Sequence, residues 1–325
     1  MNSTMFYSPN SISEFHLLFT TELQEEFENE IKKLNGLVIL TIAGFLAQLV
    51  DGSMGMAFGV VTSSFLIVLA YQPALASAIV HASEVVTSLI SGIAHIRSGN
   101  VDWQALVRVA IPGAIGAFFG ALFLSSIDLS TAKPITASIL LMLGVLILFR
   151  FTRVSILGKK RGARTRWLSP LGLFGGFIDS TGGGGWGPVV TTTLTVSNAL
   201  EPRKAIGTAN TAEFVIAISA SLGFVVGLGI SNIPLSAVFA LIIGGALAAP
   251  LASWLVSRAP QRILGILVGN IVVALNVRQL VVYFEIDEVA SMVIFILLGI
   301  LSLASIFFGI KLHKRELKLP QPVLD

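Results

Sequence analysis

Four acidic residues, Asp51, Glu84, Asp179 and Glu213, stand inside stretches of the chain that are otherwise apolar. An acid in such surroundings is costly to hold, and by default it marks a proton, ion or substrate path. Between positions 74 and 96 the polar residues His81, Glu84, Ser88, Ser91 and His95 step by three or four, so a helix carries them on one face. The corresponding later stretch keeps Asn210, Glu213 and either Ser219 or Ser221. Glu84 and Glu213 each stand about 8 to 10 residues into their helices, which at ~1.5 Å per residue places them well inside a bilayer. Proton coupling at this pair is the chemistry expected of them; the plainer alternative is a protonated or hydrogen-bonded Glu that ties two helices together. His81 and Asn210 supply N–H donors suited to an oxyanion, or to a hydrogen bond between helices.

The second group of chemically capable residues is glycine-rich. In "GGFIDSTGGGGWGPVVTTT", Gly175 to Thr193, the residues Gly182, Gly184 and Gly187 match the G-x-G-x-x-G pattern of dinucleotide-binding loops. The context excludes that reading. A dinucleotide loop follows a parallel strand, opens a solvent-facing helix and has an acid about 20 residues on; here the flanks are apolar helix, and the next acid, Glu201, falls in a loop. Irregular backbone at membrane depth is tolerated where it packs in protein or lines a polar cavity. A half-helix starting near Gly187 would aim free N–H groups and a positive dipole end at an anion. Gly55, Gly59, Gly183, Gly184, Gly185 and Gly187 are therefore expected to bind substrate through backbone. Thr191 and Thr192, just beyond the break, either add hydroxyl donors or bond the carbonyl four residues back. Asp51 and Asp179, just before the breaks, are expected to cap the half-helices that follow. Trp186 and Phe58 are read as packing against the breaks.

The elements that must position these groups are membrane helices. The 325 residues are 54% hydrophobic and only 12% charged, against about a quarter charged in an ordinary soluble domain, and the mean hydropathy is +0.86. Uncharged runs such as 235–256 and 292–310 match the length that spans roughly 30 Å of hydrocarbon. There is no cysteine, hence no disulfide framework or thiolate site. No HExxH or GxSxG motif points to an intramembrane enzyme, and neither a metal nor a cofactor is expected. The pI near 9.3 is assigned to basic cytoplasmic loops rather than to nucleic-acid binding. Residues 1–35 form an acidic segment with Glu14, Glu22, Glu25, Glu26, Glu28 and Glu30, unlike a signal peptide, and 12–34 have the apolar spacing of a surface helix.

An internal repeat organises the rest. Laying "FLAQLVDGSMGMAFGVV" (45–61) over "LFGGFIDSTGGGGWGPV" (173–189) matches Asp51 to Asp179, Gly55 to Gly183, Gly59 to Gly187 and Phe58 to Trp186 at an offset of 128. One residue further, "ASAIVHASEVVTS" (76–88) meets "AIGTANTAEFVIA" (205–217), setting Glu84 on Glu213, His81 on Asn210 and Gly116 on Gly245. The expected fold is an all-α polytopic membrane protein with two inverted-topology repeats, 36–150 and 168–284. Each comprises a Gly-broken helical hairpin plus three transmembrane helices. A basic cytoplasmic linker, 151–167, joins them; one extra C-terminal transmembrane helix, 285–311, and a basic cytoplasmic tail, 312–325, follow. If each broken segment returns to its own side, all basic loops fall inside and the acidic amino end outside; pairs of short spans fit the charges equally well. Inverted repeats with broken helices characterise secondary transporters, whose site lies at the repeat interface near the midplane.

The motifs "QLVDGSMGMAFGV", "ASAIVHASEVVTSLISGIAHIRSGNVDW", "GGFIDSTGGGGWGPVV" and "PRKAIGTANTAEFV" resemble the sulfite exporter TauE/SafE family, and the likeness covers about 36–284. That resemblance implies a permease for sulfur-containing anions such as sulfite, sulfonates or sulfoacetate, in the inner (plasma) membrane. It leaves the anion, the direction and the coupling ion open. Met56 and Ala57 depart from the second half, which has glycines there. The expected partners are a small sulfur anion, the lipid bilayer and protons, with no nucleic acid; a homodimer is left open. The alternative is a cation transporter or channel in which Asp51, Glu84, Asp179 and Glu213 act as oxygen ligands.

Overall fold

In the computed structural model the described residues are 34–51, 56–152, 167–197, 199–256 and 260–316, and they are helical throughout, with no strand. Gly55, the surface-helix segment 12–33, most of the basic linker and the end of the tail lie outside them. The first hairpin is α1 (Leu34–Asp51) and α2 (Phe58–Val68). It precedes α3 (Pro73–Arg97), α4 (Trp103–Ser126) and α5 (Leu129–Thr152). The second hairpin begins with α6 (Leu168–Gly182), whose returning limb is a π-helical turn, Gly187–Thr191, continued by α7 (Thr192–Val196). Three long helices follow, α8 (Pro202–Leu228), α9 (Leu235–Val256) and α10 (Gln261–Tyr283), and α11 (Glu288–Glu316) ends the described chain.

Helix boundaries follow local chemistry. Pro73 and Pro202 open α3 and α8 at a position where the missing N–H costs nothing. Asp102 caps α4 by accepting the N–H of Ala105 at 2.9 Å. Seven of the described helices, α1, α3, α4, α5, α8, α10 and α11, are long and apolar enough to cross a membrane. Burial is inverted relative to a soluble protein. Phe307, Leu303, Val226 and Leu301 are among the most exposed side chains, while Ser63, Ser77, His81, Glu84, Asp179 and Thr191 are buried. A polar interior inside an apolar exterior suits a molecule solvated by lipid.

Helix pairing sets the frame of the site. Gly92 of α3 faces Thr211 of α8, and Gly207 of α8 faces Asn100 just past α3, so the two run antiparallel. In α5 and α10, Gly144 meets Val272 and Val273, Leu148 meets Gly269, and Phe151 meets Gly265, again antiparallel. Both pairs join a helix of the first half to its sequence counterpart in the second. The α4–α6 contact uses small residues: Gly116 and Gly120 lie on the backbone of Leu173 and Phe177, and Gly172 and Gly176 on that of Val109 and Gly113. Small residues spaced by four let membrane helices approach closely. α11 packs on α10 and α5 at the periphery.

Candidate functional site

The two hairpin breaks meet at the centre. α6 ends where Gly183 and Gly184 take φ of 77° and 144°, a region L-residues rarely enter. A side chain on Gly184 would strike the backbone of Gly59 and Val60, and one on Gly187 would strike Met56. Ser63 of α2 donates its hydroxyl to the Gly183 carbonyl. The breaks therefore cross backbone against backbone, which explains why the sequence concentrates glycine there.

Each break is held by the acid that precedes it. Asp179 Oδ1 accepts the N–H of Gly185 at 2.6 Å and of Trp186 at 2.8 Å. Asp51 Oδ1 accepts the N–H of Ala57 at 2.7 Å and of Phe58 at 3.3 Å. These four donors are repeat counterparts at the offset of 128. The second oxygen of Asp179, Oδ2, lies 3.1 Å from Nε2 of His81. The other ring nitrogen, Nδ1, is 2.8 Å from the Ser77 carbonyl, an oxygen that can only accept, so Nδ1 carries a proton. One further proton then lies between Nε2 and the carboxylate, and the pair is neutral whichever of the two holds it. Ser77 fixes this arrangement by donating its hydroxyl to the Ser180 carbonyl at 2.6 Å.

Glu84, 4% exposed, places Oε1 beside Gly59 at the crossing. Glu213 is partly buried; Glu84 lies within electrostatic reach of Glu213, Asp179 and Asp51, and Glu213 within reach of both aspartates. Thr191 Oγ1 is buried and has no hydrogen-bond partner among the described residues. Thr192 Oγ1 accepts from Arg150 Nη1 at 3.3 Å, whereas Thr193 donates to the Val189 carbonyl four residues back at 2.5 Å. Trp186 is fully buried and donates its indole N–H to the Ala209 carbonyl at 2.9 Å, tying the break to α8. Asn210 is directed elsewhere: its Nδ2 is 3.4 Å from Ser91 Oγ and 3.3 Å from His95 Nε2. It does not repeat the bond that its counterpart His81 makes to an aspartate.

Sequence reasoning passed over Arg150, the last residue of the first repeat, and Asn276, whose Nδ2 donates to Ser64 Oγ at 2.9 Å. An asparagine in an apolar run was a signal for the second. For Arg150 the signal was weak, because a basic residue at a helix end usually belongs to the interface.

The profile of the family described as "Sulfite exporter TauE/SafE" matches residues 40–279. The chain is 44% identical over 275 residues to "Probable membrane transporter protein YtnM" of Bacillus subtilis (strain 168), covering 84% of this chain and 92% of that protein. It is 26% identical over 195 residues to "Probable membrane transporter protein YdhB" of the same organism, covering 58% and 77%. No solved structure matches. A polar crossing of broken helices inside an apolar bundle defines a multi-pass membrane transporter. The chain belongs to the TauE/SafE family of sulfite exporters.

Proposed function

We propose that the protein is a secondary transporter that carries small sulfur-containing anions, sulfite or sulfonates such as sulfoacetate, across the plasma membrane. The observation that carries this reading is the crossing of the two glycine-rich breaks, held by Asp51 and Asp179 through equivalent hydrogen bonds. Two halves related by inversion, with α3 against α8 and α5 against α10 about one axis, would expose such a crossing to either side in turn. Gly59, Gly183, Gly184, Gly185 and Gly187 bring backbone to the anion, Thr191 and Thr192 bring hydroxyls, and His81 closes the pocket wall through Asp179. Glu84 and Glu213 take up the coupling proton. The amino end lies outside and the tail in the cytoplasm, as the basic loops require.

The test is flux of radiolabelled sulfite and sulfoacetate into proteoliposomes with an imposed pH gradient or membrane potential. Saturable anion flux that responds to the gradient is expected. Cation flux with no anion requirement would overturn the reading and make the carboxylates ion ligands.

A further inference from the structure

Arg150 occupies the last turn of α5, yet its side chain turns back into the protein instead of outward to lipid headgroups. Nη1 lies 3.3 Å from Thr192 Oγ1 and 3.2 Å from Met56 Sδ. Met56 belongs to the break of the first hairpin and Thr192 to the returning limb of the second, so the guanidinium touches both sides of the crossing. Its central carbon sits 5.5 Å from the centroid of the Phe151 ring.

Two features separate this arginine from a structural one. Its charge is uncompensated: among the described residues no carboxylate lies within ion-pair distance of it, although four acids surround the crossing, and the ion pair found there is His81 with Asp179. Its acceptors among the described residues, one hydroxyl and one thioether, engage a single nitrogen of a group with five N–H donors. A partly buried cation without a counter-ion is costly, and an anion at that place removes the cost.

We propose that Arg150 is the cationic part of the substrate site, its guanidinium and the Thr192 hydroxyl binding the sulfite or sulfonate group of the transported anion where the hairpins cross. The planar fork of a guanidinium matches two oxygens of such a group. This rests on the anion-transport reading and names the residue that discriminates for charge.

The test compares wild type with Arg150→Gln, Arg150→Lys and Thr192→Val in proteoliposomes, with sulfite and sulfoacetate as probes and thermal unfolding in detergent as the check on folding. Arg150→Gln is expected to raise KM tenfold or more, as loss of a charge-assisted pair of about 1.5–3 kcal/mol requires. Arg150→Lys keeps the charge without the fork and falls between that variant and wild type. Thr192→Val raises KM less than Arg150→Gln. Wild-type KM in a folded Arg150→Gln protein overturns the proposal and leaves anion transport standing. If Arg150→Gln does not fold, wild-type KM in both Arg150→Lys and Thr192→Val overturns it. Absence of anion flux in wild type itself defeats the transport reading, and the proposal with it.

Discussion

His81 Nε2 lies 3.1 Å from Asp179 Oδ2, a contact between residues 98 positions apart that joins a long helix of one half to the break of the other. The same aspartate holds two backbone N–H groups with its other oxygen, whereas Asp51 accepts from Ala57 at 2.7 Å and from Phe58 at 3.3 Å, and among the described residues no histidine meets it. Removing Asp179 strands two backbone donors and the Nε2 of His81. Asp179→Ala should therefore destabilise by about 2–4 kcal/mol, from charge-assisted bonds of about 1.5–3 kcal/mol and the cost of stranding their donors. Asp51→Ala should cost less, about 1–2 kcal/mol on the scale of a lost cap. Unfolding of the purified variants in detergent checks the ranking, and equal or reversed losses would refute it.

The sequence made the helical bundle and the two breaks legible because hydropathy and glycine clustering are properties of the chain read in order. The matching of Asp51 with Asp179 was legible for the same reason, since both precede a break at one repeat offset. What stayed hidden depends on which helices meet. Nothing in the order of residues indicates that Asn210 turns to Ser91 and His95 while its counterpart His81 turns to Asp179, because that difference arises from the crossing of α3 and α8. Arg150 was hidden by its place at a helix end, where outward and inward rotamers leave the same trace in the sequence.

Gly184 takes φ of 144° and has backbone of the other hairpin directly against its missing side chain. Gly99 has φ of 67° but open space around it. Gly99→Ala should cost on the order of 1 kcal/mol, the conformational penalty alone. Gly184→Ala should separate the hairpins, abolish transport and lower expression of folded protein. Size-exclusion profiles and flux of the two variants distinguish them; a Gly184→Ala protein that folds and transports normally would show that the crossing is not required.

Asp128 lies at the exposed start of α5, where its carboxylate accepts hydrogen bonds from the Ser130 hydroxyl and from the hydroxyl and N–H of Thr131. These bonds, that from Ser130 foremost, hold its pKa below the ordinary carboxylate value. A lowered folded-state pKa stabilises above the unfolded pKa and loses that contribution as pH falls through the folded one. The stability gap between wild type and Asp128→Asn should be present at neutral pH and close below the ordinary carboxylate range. Melting temperatures across pH check it, and a gap that widens in acid would contradict the assignment.

Transport itself should depend on pH through Glu84 and Glu213. Both stand within electrostatic reach of Asp51 and Asp179, and Glu84 Oε1 borders Gly59 at the crossing. An anion that arrives there is repelled by every ionised carboxylate, so uptake of a proton by either Glu strengthens anion binding, and by reciprocity the anion strengthens proton binding. A coupling of about 1–3 kcal/mol changes affinity about 5- to 150-fold, which sets the expected fall in KM as pH drops. Glu84→Gln or Glu213→Gln removes one titrating group while keeping its shape, so the variant at the coupling residue should show a flattened KM profile and lose acceleration by an imposed proton gradient. His81→Gln serves as the contrast, because it alters the contact with Asp179 and leaves both glutamates in place. Pronounced flattening in His81→Gln, with both Glu variants keeping the wild-type profile, would move the coupling proton from the glutamates to that pair.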